Sequence, residues 1–244
     1  MKLQSVIWIF VIYYLVCITS SSAKPERKRR HALCTHKEPM DATGSYEGPW
    51  PSNIKYNITH YTSDMPEEKI RRIIKDALGT WTKVLPLTFE FTTGKGDLEF
   101  RFGSGGHFGC PWPFDGPGNL LAHAQPPRYG AFTHYDDDEL FGEWTQQYID
   151  NGRRPFMWDL RSLVIHEVGH YLGLGHSPDR DDIMYPMYSD PIKDGKFVPA
   201  KPSKNDVYVA QQIHGARNGR YAREVPPPVP RVGRMLLDVP PPMP

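Results

Sequence analysis

The sequence predicts an α+β domain, a mixed sheet with helices laid against it, and three observations carry that prediction. Short stretches rich in apolar, β-branched and aromatic residues lie at 53–61, 87–91, 98–102, 121–125 and 132–135. Between the first and second of these runs a segment with apolar residues at helical spacing. Further on, a second helical pattern carries two histidines four residues apart. Strands, a helix, more strands and then a ligand-bearing helix describe one sheet with helices packed on it.

The amino-terminal end is organised for export. Lys2 gives a small positive start, Ile7 to Ile18 is almost wholly apolar, and Ser21-Ser-Ala23 offers small residues for cleavage. The apolar run is shorter than the roughly 20 residues a spanning helix needs. Residues 1–23 therefore read as a signal peptide, with an uncleaved signal anchor as the alternative. Arg27-Lys-Arg-Arg30 then forms a basic processing site, so 24–30 is a short pro-segment and cutting after Arg30 exposes His31. No other segment is apolar enough for a membrane. The formal charge of +1 gives no field for polyanions, so no nucleic-acid partner is expected. Cys17 would leave with the signal. Cys34 and Cys110 remain, and they either pair in an oxidising compartment or leave Cys110 to hold a metal.

Asn53 to Tyr61 alternates as a strand and contains Asn57-Ile-Thr59, a glycosylation acceptor if that edge faces solvent. Ser63 or Asp64 can cap the following helix, with Pro66 in its first turn. Its buried stripe is Ile70, Ile73, Ile74, Ala77, Leu78 and Trp81, opposite a charged face. Leu87–Phe91, Leu98–Phe102 and Phe132–Tyr135 are strands, and Leu121–Gln125 is an edge strand. Asp159 caps the second helix, which buries Leu160, Leu163, Val164, Val168 and Leu172. A third helix spans Lys204–His214. Residues 218–244 are too proline-rich for helix or central strand and read as an extended tail, leaving 31–217 as one domain.

Two constellations carry chemistry. His166-Glu-Val-Gly-His170 stacks two imidazoles on one helix face, and Gly173 and Gly175 can turn the chain so that His176 returns as a third ligand. Three histidines leave a fourth tetrahedral position open, as a catalytic zinc requires. Glu167 is placed to take a proton rather than to ligate. Met184, just beyond, would floor the imidazoles. The second constellation is the density of ligand types between 107 and 139: His107, His123 and His134, the Asp115-Gly-Pro-Gly118 turn, and the acidic run Asp136 to Glu139. Imidazoles match a second zinc, and carboxylates with carbonyls match calcium.

Taken together, His166-Glu-Val-Gly-His-Tyr-Leu-Gly-Leu-Gly-His176, Met184-Tyr-Pro186, Pro113-Phe-Asp-Gly-Pro-Gly118, Leu121-Ala-His-Ala124 and His134-Tyr-Asp-Asp-Asp-Glu139 resemble the matrix metalloproteinase (matrixin) branch of the metzincins. The resemblance covers about residues 31 to 215. It implies a five-stranded twisted sheet with three helices, and a zinc- and calcium-dependent endopeptidase. His166, His170 and His176 would match the catalytic zinc ligands, and Glu167 the general base acting on a zinc-activated water. His107, His123 and His134 would match structural-zinc ligands. Asp115, Gly116, Gly118, Asp136 and Glu139 would match calcium ligands. Leu121, Ala122 and Ala124 would pair with an extended substrate, Tyr185 and Pro186 would wall the cleft, and Met184 would be the methionine turn.

The departures from the family pattern matter too. The family's aspartate two residues past the first structural histidine is Gly109 here, with Cys110 beside it, so cysteine either replaces that ligand or pairs with Cys34. No Pro-Arg-Cys-Gly switch and no carboxy-terminal propeller are evident, which suggests a minimal form. The expected protein is a secreted monomer acting on extended extracellular or matrix polypeptides, collagen among the candidates, and open to protein inhibitors. The alternatives are a catalytically silent metal-containing binding module and a signal-anchored sheddase.

Overall fold

The computed structural model describes residues 33–34, 50–151 and 157–219. The signal peptide, the Arg30 site and the proline-rich tail beyond 219 lie outside the described residues. Six strands form the main sheet: β1 (Leu33–Cys34), β2 (Asn53–His60), β3 (Thr88–Phe91), β4 (Leu98–Gly103), β5 (Leu120–Gln125) and β6 (Phe132–Asp136). Their order is β1-β5-β6-β4-β2-β3. β2, β3, β4 and β6 are parallel, β5 is antiparallel to β6, and β1 runs parallel to β5. The five expected strands are thus all present, but β5, expected as an edge strand, is covered on its outer side by the two residues of β1.

Period-two alternation sets the faces. Ile54, Tyr56 and Ile58 of β2 and Leu98, Phe100 and Phe102 of β4 bury one face of the sheet. Helix α1 (Glu67–Thr82) joins that core through Ile70, Ile73, Ile74, Ala77, Leu78 and Trp81. Its N-cap is Pro66 and no side chain caps it, so neither Ser63 nor Asp64 plays the expected part. Asp64 is engaged elsewhere, accepting the Phe141 N–H at 2.8 Å. Glu67 and Glu68, both bonded to Arg71, supply the negative charge that suits the helix start.

The position of β2 overturns one expectation. β2 lies between β3 and β4, so Asn57 is on an inner strand. Its side chain is buried, with Oδ1 in a shell that lacks a hydrogen-bond partner. At 9% exposure the Asn57 side chain is too far covered for the solvent-facing edge that the glycosylation expectation required, and that expectation is unsupported.

After β6 the chain forms a small parallel pair, β7 (Phe141–Gly142) with β8 (Trp158–Asp159), enclosing the short helix α2 (Gln146–Asp150). Helix α3 (Leu160–Tyr171) starts at once, capped as expected by Asp159, whose Oδ2 accepts the Ser162 N–H at 2.9 Å. Every residue of α3 except Arg161 is buried, polar ones included. The Trp81 indole of α1 donates to the Ile165 carbonyl at 3.1 Å and fastens the helix to the core. Gly173, at φ +92°, turns the chain off the helix end, whereas Gly175 keeps an ordinary φ. β9 (Ile192–Lys193) and β10 (Lys196–Phe197) then make a hairpin around Asp194-Gly195, both left-handed as a tight turn requires. Helix α4 (Lys204–His214) closes the domain behind a capping box of Ser203 and Asp206.

Candidate active site and second metal centre

The first centre is built on α3 and the turn behind it. His166 and His170 share one helix face, and the reversal at Gly173 brings His176 back to them. His170 Nε2 stands 3.1 Å from His166 Nε2 and 3.2 Å from His176 Nε2. Tetrahedral zinc with nitrogen ligands at about 2.05 Å has edges of about 3.3 Å, so the three nitrogens are already spaced as ligands. Their outer nitrogens are fixed too. His166 Nδ1 meets the Ile183 carbonyl at 2.6 Å, and His170 Nδ1 meets the Leu174 carbonyl at 2.8 Å. A protonated Nδ1 in each case leaves the Nε2 lone pair turned inward. Glu167 is fully buried beside the cluster, on the same helix. Met184 is buried below it, as a floor.

A cavity of about 410 Å³ opens beside His166, lined by Leu121, Leu163, Tyr185, Pro186 and Val198 among others. Its wall runs from Tyr185 to Ser203 and includes Pro191 and Lys193 from the stretch expected to shape side-chain preference. Arg161, the half-buried exception on α3, donates to the Ala200 carbonyl and ties that wall to the ligand helix. Leu121, Ala122 and Ala124 lie on β5 as expected, and all three are buried. The outer edge of β5 is paired with β1, at Leu33 opposite Leu120 and Cys34 opposite Ala122.

The second centre joins a loop to two strands. His107 stands on the loop after β4, His123 on β5 and His134 on β6, where 123 and 134 are cross-strand partners. His107 Nε2 is 3.4 Å from His123 Nε2 and 3.1 Å from His134 Nδ1, and the latter two are 3.2 Å apart. All three rings are buried. His134 is held down to about 2, first by burial and then by the neighbouring His123 and His107. Cys110 Sγ completes the group, 3.4 Å from His123 Nε2.

A match to the matrixin family model runs over residues 49–215, more than half of the chain and across both centres. The chain belongs to the matrixin family. It is 40% identical over 182 residues to matrix metalloproteinase-C of Caenorhabditis elegans, covering 73% of this chain and 31% of that protein. It is 37% identical over 183 residues to rat stromelysin-2, 73% of this chain and 36% of the relative. Human matrilysin is 36% identical over 173 residues, 69% of this chain and 60% of its own length. The chain thus spans about a third of the first two relatives and less than two thirds of the third.

Within this matrixin domain the disulfide expectation fails. Cys110 is a free thiol, directed at the imidazoles. The donor set therefore fits zinc twice: three imidazoles with room for a fourth group, and three imidazoles with a sulfur. The expected calcium residues are also gathered, less tightly. Gly118 N–H donates to Glu139, and Asp115 accepts from the Leu120 N–H at 3.3 Å. Asp136 is fully buried with Oδ2 unpartnered, and its carboxyl is pushed up to about 7, first by burial and then by Asp138, Glu139 and Asp115. Among the described residues these carboxylates do not converge at ligand spacing as the two imidazole groups do.

Asp206 was not singled out from the sequence. Its carboxylate accepts from the Ile183 N–H at 2.9 Å and the Met184 N–H at 3.4 Å, so α4 holds the chain that carries the Met184 floor and the His166 acceptor. Ser203-x-x-Asp206 was a legible capping box, but which loop the aspartate would also grip is a tertiary fact.

Proposed function

We propose that this matrixin is a secreted, zinc-dependent endopeptidase that cleaves internal peptide bonds of extended extracellular polypeptides. The observation that carries the reading is the convergence of His166, His170 and His176 at ligand spacing, beside the buried Glu167 and a side-chain cavity. When bound there, zinc lowers the pKa of a water towards about 7 and polarises a carbonyl.

The chain's own residues do the rest. His166 and His170, fixed through Nδ1, present neutral Nε2 atoms without reorganisation. Glu167 accepts the proton of the attacking water and returns it to the departing amine. β5 offers backbone groups to an extended peptide, and the cavity beside His166 takes one side chain, which fixes register. The mostly apolar wall favours an apolar side chain there. Calcium at Asp115, Asp136, Glu139 and the carbonyls of Gly116 and Gly118 would hold the loop that leads into β5.

The test is hydrolysis of a quenched-fluorescent peptide library by zinc- and calcium-loaded protein starting at His31. Turnover abolished by chelator supports the proposal. Folded, zinc-loaded protein without turnover on any peptide would sink it.

A further inference from the structure

We propose that Cys110 binds zinc through its thiolate, closing a three-histidine, one-cysteine site, and that thiol–disulfide exchange at Cys110 releases this metal. The inference rests on the geometry of the second centre and is independent of peptidase activity.

The turn is the first observation. His107 and Cys110 are the ends of a four-residue turn, with the Cys110 N–H bonded to the His107 carbonyl at 2.8 Å. Both central residues, Phe108 at φ +49° and Gly109 at φ +72°, are left-handed. Such a turn is tight, and at Phe108 it is strained, since a residue with a side chain rarely adopts that backbone. Its effect is to bring two ligand types three residues apart to one point, the local spacing used by zinc-binding knuckles.

The nitrogen triangle is the second. His107 Nε2, His123 Nε2 and His134 Nδ1 face one another at 3.1–3.4 Å. Three ring nitrogens cannot all be satisfied by hydrogen bonds, because one N–H points along only one edge of the triangle. A shared cation satisfies all three. Sulfur lies beside the triangle, within 4.8 Å of each nitrogen, where zinc with N at about 2.05 Å and S at about 2.3 Å needs an N–S edge of about 3.5 Å. Sγ is 3.4 Å from His123 Nε2.

Exposure separates the ligands. The three imidazoles are 2–6% exposed, while Cys110 is partly open to solvent. A small disulfide RSSR can therefore reach the sulfur and not the nitrogens. The Cys110 thiolate attacks one sulfur, the new Cys110–S–SR bond forms as the RS–SR bond breaks, and RS⁻ leaves. The mixed-disulfide sulfur is no longer an anionic donor, and the metal keeps three neutral imidazoles. A centre with one position open exchanges metal more readily than a closed one. The loop from 104 to 119 leads into β5, so release also loosens the approach to the cleft edge.

The test uses the full chain with Cys17→Ser and Cys34→Ser, leaving Cys110 as the sole thiol. Cobalt in the second centre should give a sulfur-to-cobalt charge-transfer band in the near ultraviolet, absent in Cys110→Asp. Zinc-loaded protein treated with oxidised glutathione should gain one glutathione by intact mass and lose one of two zinc ions. Cys110→Asp should keep both, and Cys110→Ser should bind the second more weakly. Absence of the band with cobalt bound at both centres would overturn the ligand assignment, and that reading needs no substitution at Cys110. Retention of both zinc ions after glutathione attaches, or no attachment to the loaded protein, would overturn the release.

Discussion

Met184 lies directly under Gly169, so close that a Cβ on the glycine would come within 2.3 Å of the Met184 sulfur and 3.4 Å of the Trp81 ring. The missing side chain lets the floor rise against the ligand helix between His166 and His170. Gly169→Ala should therefore overpack this buried contact and cost about 1–3 kcal/mol, towards the low end if the Met184 thioether can swing aside. Adding Met184→Ala should recover part of the loss, because the clash is with that thioether. Thermal denaturation of the two single variants and the double variant reads the coupling. Strictly additive losses would show that the contact is not what requires glycine at 169.

Glu167 is buried on the helix that carries two ligands but contributes no atom to the converging group. Glu167→Ala should keep both zinc ions and lose at least about a hundredfold in turnover, the lower range for a positioned acid–base group. Metal analysis and peptide hydrolysis on one sample separate the two effects. Loss of zinc along with turnover would make Glu167 a structural support for the ligands.

How much of this could be read in advance differs element by element. The helix expected at about Lys204–His214 is present there, and its signals are local: a capping box before it and Gly215 after it. β2, β4 and α1 were legible because burial follows period two and period 3.6. The first centre was legible because helix geometry and one reversal bring its three ligands together. Asn57 failed for the opposite reason. Strand order is not local, and nothing near residue 57 says that β3 and β4 will flank it. Cys110 likewise had two candidate partners, and the choice depended on a strained turn at Phe108. The helix at Gln146–Asp150 has no apolar stripe and buries no residue, so no periodicity announced it.

Asp136 gives a pH dependence with a definite sign. Its carboxyl is raised to about 7 in the fold, against about 3.9 for an unfolded aspartate. Between those values the native state holds a proton that the unfolded state has lost, so stability falls as pH rises from about 4 to about 7. Calcium reverses the preference by favouring the charged carboxylate. In zinc-containing, calcium-free buffer, Tm should drop from pH 5 to pH 7.5, and calcium should recover most of the drop at the higher pH. Asp136→Asn should flatten the profile and weaken the calcium effect. An unchanged pH slope in that variant would assign the dependence to another group.

β1 stands on the outer edge of β5, where an extended substrate would add its own strand. If the chain is cut after Arg30, these residues would stay attached, and the processed chain would carry its own competitor for the edge. Among the described residues the pairing consists of Leu33 and Cys34, a short contact that a longer peptide strand should be able to displace. Competition of this kind raises KM and leaves kcat alone, since a productive complex forms only after β1 has left. Protein beginning at residue 37 should therefore show a several-fold lower KM for extended peptides than protein beginning at His31, with the same kcat. Short substrates that do not reach along β5 should not distinguish the two forms. Equal KM values for long peptides would mean that β1 does not compete, and a changed kcat would mean that residues 31–36 support the centre itself.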